Sequence, residues 1–183
     1  MAAIKMQRLL YILLVCQSAL GGRLVSTSPQ ITELLFQLGL GSQTVGTMDG
    51  SVYPAEAAKL PSIGQLFSPS LEKTLSLRPS LILLDTHNLN PTFAAAISAL
   101  KLPSFTWDTL SPESVLRDAR RLCQLLETPV PKQVLQWETC LESLRTTTTQ
   151  IPKLKWLGYA WIDPPILLGR TSFLSRLMEY LGF

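Results

Sequence analysis

The chain has 183 residues, 46% of them hydrophobic and 16% charged, which is enough apolar matter for a real core and excludes a disordered composition. The net charge of +3 is modest and unclustered, its densest basic spots being Arg120-Arg121 and Lys153/Lys155, so the footprint of a nucleic-acid binder is missing. Residues 1–22 differ from the rest: Lys5 and Arg8 precede the apolar run Leu9 to Val15, and Ser18-Ala19-Leu20-Gly21-Gly22 forms a small-residue exit. This is the build of a secretory signal peptide, since the run is too short to span a bilayer. A buried N-terminal helix is the plainer alternative. Cys16 raises lipid attachment, although Val15 stands where a small residue is preferred.

One punctuation device then recurs. Ser28-Pro29, Ser68-Pro69, Asn90-Pro91 and Ser111-Pro112 each place a capping side chain before a proline. A Ser or Asn accepts a bond from an orphan helix N–H, and Pro at the first helical position gives up an N–H without a partner. Each pair precedes apolar residues at helical spacing: Ile31, Leu34, Leu35 and Leu38 after the first, with Gly39 and Gly41 as stops; Leu71, Leu75 and Leu77 after the second. Phe93, Ala94, Ile97 and Leu100 follow the third, and Val115, Ala119, Leu122 and Leu126 the fourth. Strand-length segments at 23–26, 44–47, 81–84 and 104–107 lie between, the third wholly apolar as in a parallel sheet covered on both faces. Strand and capped helix in alternation predict an α/β lobe through residue 109.

Residues 111–127 and 131–148 read as two successive helices, broken by Thr128-Pro129-Val130-Pro131, with Val134, Trp137, Leu141 and Leu144 on one stripe of the second. A strand at 156–161 and a helix at 171–181 follow. One strand and one helix cannot make a domain, so residues 151–183 either dock on the first lobe or open a second one. Cys123 and Cys140 could bridge neighbouring helices in an oxidising compartment, or serve as small apolar residues. There is no CxxC and no His/Cys cluster, so no metal site is predicted.

Four segments carry a resemblance. They are Arg23 through Leu35; Tyr53-Pro54 with Ala58-Lys59-Leu60-Pro61; Gly64 through Leu71-Glu72 with Leu75 to Leu83; and Trp161-Ile162-Asp163-Pro164-Pro165 with Gly169. Together they resemble the helical-backbone metal-receptor family, the periplasmic binding proteins for cobalamin, ferric siderophores and haem. Val52 stands where members often carry an acid; Leu66 and Asp85 stand where cobalamin-binding members carry tryptophans, and Asp163 where they carry asparagine. The resemblance implies an α/β, two-lobed periplasmic binding protein with a helical connector. On that reading 1–22 is the signal peptide, 23–109 the first lobe with a parallel sheet, 110–150 the connecting helices, and 151–183 the start of an incomplete second lobe.

It further implies a monomeric substrate-binding component of an ABC importer in the periplasm, with no cofactor of its own. Its ligand would be a metal chelate, a corrinoid first, a ferric siderophore or haem next; its partner would be the inner-membrane permease. A non-transporting periplasmic fragment or sensor of the same fold is the alternative. Ligands of open α/β sheets bind at the carboxyl ends of the strands. The loops there supply Ser28, Tyr53, Phe67, His87 and Trp107, and Ile166 comes from the second lobe. Tyr53 and Phe67 offer flat apolar faces, although Phe67 could instead pack under its own lobe. Trp107 ends a strand and suits core packing better than ligand contact. His87, the only histidine, could coordinate iron or cobalt or be a solvated loop residue. Asp85 and His87 invite a Ser-His-Asp arrangement, but no strand–turn–helix elbow holds a nucleophile, so no enzyme is expected. Glu72 matches a surface glutamate that docks on permease arginines in the family; a carboxylate there also favours the helix dipole.

Overall fold

The computed structural model describes residues 22–148 and 155–183, so the expected leader up to Gly21 and Cys16 lies outside the described residues. Strand β1 (Leu24–Ser26) leads into helix α1 (Pro29–Gln37), then β2 (Thr44–Gly46), a small hairpin of β3 (Gly64–Gln65) and β4 (Ser68–Pro69), and helix α2 (Leu71–Ser76). Strand β5 (Leu81–Asp85), helix α3 (Pro91–Ala99) and strand β6 (Ser104–Trp107) complete the lobe. Helices α4 (Pro112–Leu125) and α5 (Lys132–Thr148) follow, then a second hairpin, β7 (Tyr159–Trp161) and β8 (Ile166–Leu167), and helix α6 (Phe173–Tyr180).

The main sheet has the order β2-β1-β5-β6, and every pairing in it is parallel. Side chains alternate across it as the pleat requires. Leu24, Leu81, Leu83, Phe105 and Trp107 pack with Ile31 and Leu35 of α1 and with Leu116, Ala119 and Leu122 of α4. Ile82 and Leu84 pack on the other face with Phe93 and Ile97 of α3. Val25 joins Met48 and Ile63. All five residues of β5 are buried, as its apolar run predicts.

Three of the four proline-linked caps form as read. Ser28 accepts from the Ile31 N–H (3.2 Å), Asn90 from the Phe93 N–H (2.8 Å), and Ser111 from the Ser114 N–H (3.1 Å), each with Pro at the first helical position. The fourth departs from the expectation. Ser68-Pro69 lies in β4, paired with Gly64–Gln65, and α2 instead begins after Ser70, whose hydroxyl accepts from the Lys73 N–H. The hairpin explains the shift: Gly64 has φ 137, and a Cβ there would meet the Ser68 carbonyl oxygen at 2.6 Å. Glu72 therefore sits at the second helical position rather than further along.

Arg23 fastens the lobe from beneath. Its guanidinium donates to the Leu77 and Arg78 carbonyls at the end of α2, and its amide donates to the Ser80 hydroxyl (2.8 Å). A cation on the last carbonyls of a helix satisfies orphan acceptors and the dipole together.

Asp118 of α4, almost wholly buried, accepts from the guanidinium groups of Arg117 and Arg121 and from the Asp108 amide (2.9 Å). Burial pushes its carboxyl up, but the hydrogen bonds from Arg117, from the Asp108 amide and from Arg121 together outweigh that and hold it below the ordinary value. The loop after β6 is thereby fixed to α4. Cys123 is buried and Cys140 exposed, and each is a free thiol. Burial raises the Cys123 thiol above its usual range, so it behaves as a small apolar residue.

Two features at the far end of the chain go beyond the sequence reading. The strand expected at 156–161 shortens to Tyr159–Trp161 and gains a partner, Ile166–Leu167, which closes an antiparallel hairpin. Its apolar side chains, Tyr159, Trp161, Ile162, Ile166 and Leu167, are all more than half exposed. Helix α6, by contrast, packs against α4 and α5, and the Arg145 guanidinium lies over the Tyr180 ring.

Candidate functional site

Strand order sets the place of the site. From β1 the chain moves to one side for β2, then crosses to the other side for β5 and β6. The loops after β1 and β5 consequently diverge at the carboxyl edge, and this divergence is where open parallel sheets form their crevice. Thr27 bridges the two strands there: its amide and hydroxyl both donate to the Leu83 carbonyl, and its hydroxyl accepts from the Asp85 amide.

Asp85 organises the loops around this point. It is wholly buried, and its carboxylate accepts from the Thr109 hydroxyl (2.7 Å), the His87 amide (2.9 Å) and the Asn88 side chain (3.0 Å). The same Asn88 side-chain amide donates to Gln30 of α1 (3.2 Å). One carboxylate thus ties together the loops after β5 and β6 and, through Asn88, the first turn of α1. A buried carboxylate needs such a set of donors to offset its lost hydration.

A cleft of about 640 Å³ opens beside it. One wall is α1, presenting Gln30, Glu33, Leu34 and Gln37; the floor is His87, Thr109, Leu110 and Val115; Trp137 of α5 closes one side. Leu168, Ser172, Phe173 and Leu174, from after the second hairpin and the start of α6, complete the lining. The wall is mainly apolar with a few hydrogen-bonding groups, the usual constitution of a small-molecule site. Among the described residues no group of three or more His, Cys, Asp or Glu is placed to hold a metal ion.

The predicted site residues fall into three groups. His87 lines the cleft. Tyr53 and Phe67 are each 58% exposed and stand outside the lining, Tyr53 in the loop after β2 and Phe67 at the tip of the β3–β4 hairpin. Phe67 has φ 67, a left-handed conformation that costs a non-glycine residue about 1–2 kcal/mol. Asn90 holds its carbonyl with a 2.7 Å bond while capping α3, so the tip is anchored and the ring stays outward. Ile166 is exposed on β8, beside the cleft-lining Leu168.

Ser28 and Trp107, named as ligand contacts, stand outside the cleft lining, and Trp107 takes the core packing that its strand-end position suited. Both are 0% exposed. The Ser28 hydroxyl is spent on capping α1, and its carbonyl accepts from Ser26 and Thr32. Trp107 is an inward residue of β6: its ring meets Phe105 edge-on at 6.1 Å and its indole N–H donates to the Val115 carbonyl (3.3 Å). A side chain at the carboxyl end of a strand can point into the core as readily as at a ligand, and the alternation of β6 sends this one inward.

Sequence reasoning missed Gln30, Glu33 and Gln37, Trp137, and the Phe173-Leu174 pair. A signal for the first three existed. They repeat at helical spacing on the polar side of α1, away from the buried Ile31 and Leu35, and a polar stripe next to a sheet's carboxyl edge is a candidate wall.

No family model matches the chain. The vitamin B12-binding proteins of Yersinia pestis (strain Pestoides F) and Yersinia pseudotuberculosis (serotype O:1b, strain IP 31758) are each 31% identical to it over 128 residues, which is 70% of this chain and 45% of theirs. Among solved structures, the periplasmic vitamin B12 binding protein of Vibrio cholerae superposes with a TM-score of 0.80 at 22% identity, covering 88% of this chain and 65% of that one. The periplasmic heme-binding protein of Roseiflexus sp. RS-1 gives 0.70 at 27% identity, over 88% of this chain and 64% of its own. The chain spans about half the length of the curated relatives it matches. In sequence the chain is similar to vitamin B12-binding proteins, and in fold to solved periplasmic vitamin B12- and heme-binding proteins.

Proposed function

We propose that this chain supplies one wall of the ligand cleft of a periplasmic substrate-binding component of an ABC importer, and that it acts by binding rather than by catalysis. The observation that carries the reading is the cleft itself: it lies against the divergence of β1 and β5, is floored by His87 and Thr109, and is completed by the segment that follows the long helices. The names of the relatives favour a corrinoid as the captured chelate, with haem next; a ferric siderophore follows only from the family resemblance. Tyr53, Phe67 and Ile166 are proposed to extend the contact surface beyond the cleft, as exposed apolar faces on neighbouring loops and strands.

Trp137 lines the cleft and supplies the reporter. Titrating the chain with cyanocobalamin is expected to quench tryptophan fluorescence saturably, with a Kd of about 10–100 µM, because a wall contributed largely by one lobe covers only part of a macrocycle. If cyanocobalamin, haemin and a ferric hydroxamate all leave the fluorescence on a straight inner-filter line, the reading is wrong.

Glu72 is proposed as the docking group for the permease. It is exposed in the first turn of α2, away from the cleft. Glu72→Gln should leave the cyanocobalamin titration unchanged and weaken binding to the importer's permease in nanodiscs by about two- to fivefold, the scale of one exposed charged contact. Equal permease binding by the variant would remove Glu72 from this role.

A further inference from the structure

The lining of the cleft has an unusual charge balance. It contains no lysine or arginine, and its ionisable side chains are Glu33 and His87. Gln30 and Gln37 flank Glu33 on the same wall, and the amide oxygen of each accepts one hydrogen bond, from Asn88 (3.2 Å) and from Gln133 (2.9 Å). Their side-chain N–H groups donate to no described residue and are available to a ligand. The Thr109 hydroxyl is committed to Asp85, and Ser172 to capping α6. Glu33 is exposed and makes no hydrogen bond or ion pair with any described residue. Its charge therefore stands uncompensated at the cleft surface.

We infer that Glu33 sets the charge selectivity of the cleft, favouring an uncharged, amide-bearing chelate and disfavouring chelates that carry free carboxylates. The inference rests on the proposal that this cleft binds a chelate. The physical basis is simple. A carboxylate brought within a few ångströms of Glu33 meets like charge with no cation on the same wall to offset it, and the water-poor flank of a bound macrocycle weakens screening. An amide or ester at the same place meets the Gln30 and Gln37 donors at no such cost. Selectivity then comes from a repulsive element against the wrong ligand as much as from attraction to the right one.

The test pairs cyanocobalamin, which has no net charge, with haemin, which carries two propionates, against the native chain and the variants Glu33→Gln and Glu33→Lys. Circular dichroism confirms that each variant is folded. The native chain is expected to prefer cyanocobalamin by about tenfold or more, the neutral variant to narrow that ratio by about threefold, and the lysine variant by about tenfold. Haemin affinity of the native chain should also rise with added salt, and that dependence should reverse in Glu33→Lys. A native preference for haemin, or a ratio indifferent to residue 33, overturns the inference while leaving the binding function standing. Failure of every variant to bind either chelate overturns the binding function and the inference with it.

Discussion

Trp107→Ala is expected to destabilise the chain by about 3–5 kcal/mol, the range for truncating a fully buried aromatic to a methyl group. The ring is 0% exposed, between the sheet and the helices that cover it, and it touches Phe105 edge-on. Its removal opens a large void and takes the indole N–H away from the Val115 carbonyl, which lies within helix α4. Because a domain of this size has only about 5–15 kcal/mol of stability in total, the variant should lose a large part of its folded margin in urea. Trp107→Phe should cost clearly less, since it keeps the aromatic contact and loses mainly the hydrogen bond. If the alanine variant unfolds at the native urea midpoint, the residue is not in the core, and its sequence-level candidacy as a ligand contact reopens.

Asp85→Ala should be felt in both stability and binding. The substitution leaves the Thr109 hydroxyl, the His87 amide and the Asn88 side chain without their acceptor. Buried donors left unsatisfied cost about 1–3 kcal/mol each, and partial rehydration of the loops recovers some of it, so a net loss of about 2–4 kcal/mol is expected. The binding consequence is separate. His87 and Thr109 line the cleft and Gln30 is tied to the same carboxylate through Asn88, so cyanocobalamin affinity should fall about tenfold even where the variant is fully folded. Asp85→Asn distinguishes the two: it fills the space but replaces one acceptor with a donor, and should keep part of the stability while still misplacing the loops. Native affinity in a folded Asp85→Ala would show that the cleft does not depend on this carboxylate.

Much of the fold was readable because it rests on local chemistry. The Ser28, Asn90 and Ser111 caps announce their helices through residue type alone, and the apolar run of β5 states that it is covered on both faces. Ser68-Pro69 misled because the same dipeptide is compatible with a strand when a glycine such as Gly64 lets a hairpin close tightly against it. The β7–β8 hairpin was half invisible, since Ile166–Leu167 is too short to show any periodicity of its own.

The site was less legible than the scaffold, and for a definite reason. Residue position along a strand predicts which loops reach the carboxyl edge, and His87 in the loop after β5 lines the cleft. At the last strand position Trp107 turns inward, the core packing that its place suited, so its candidacy as a ligand contact rested on loop position alone. Strand position does not show that the polar stripe of α1 lines one cleft with Phe173 and Leu174, because that depends on how α6 docks about 140 residues later.

The order β2-β1-β5-β6 has a further consequence, in time rather than in space. The strand that becomes the middle of the sheet is the first to emerge, yet its second neighbour begins only at Leu81. Until then Val25 and its flanking peptide groups present an open edge, and Arg23 waits for carbonyls that lie more than fifty residues on. Pairings so distant in sequence are slow to form, because the chain must surrender loop entropy before any contact offsets it. The sheet therefore cannot close around β1 until β5, more than fifty residues on, is available to pair with it.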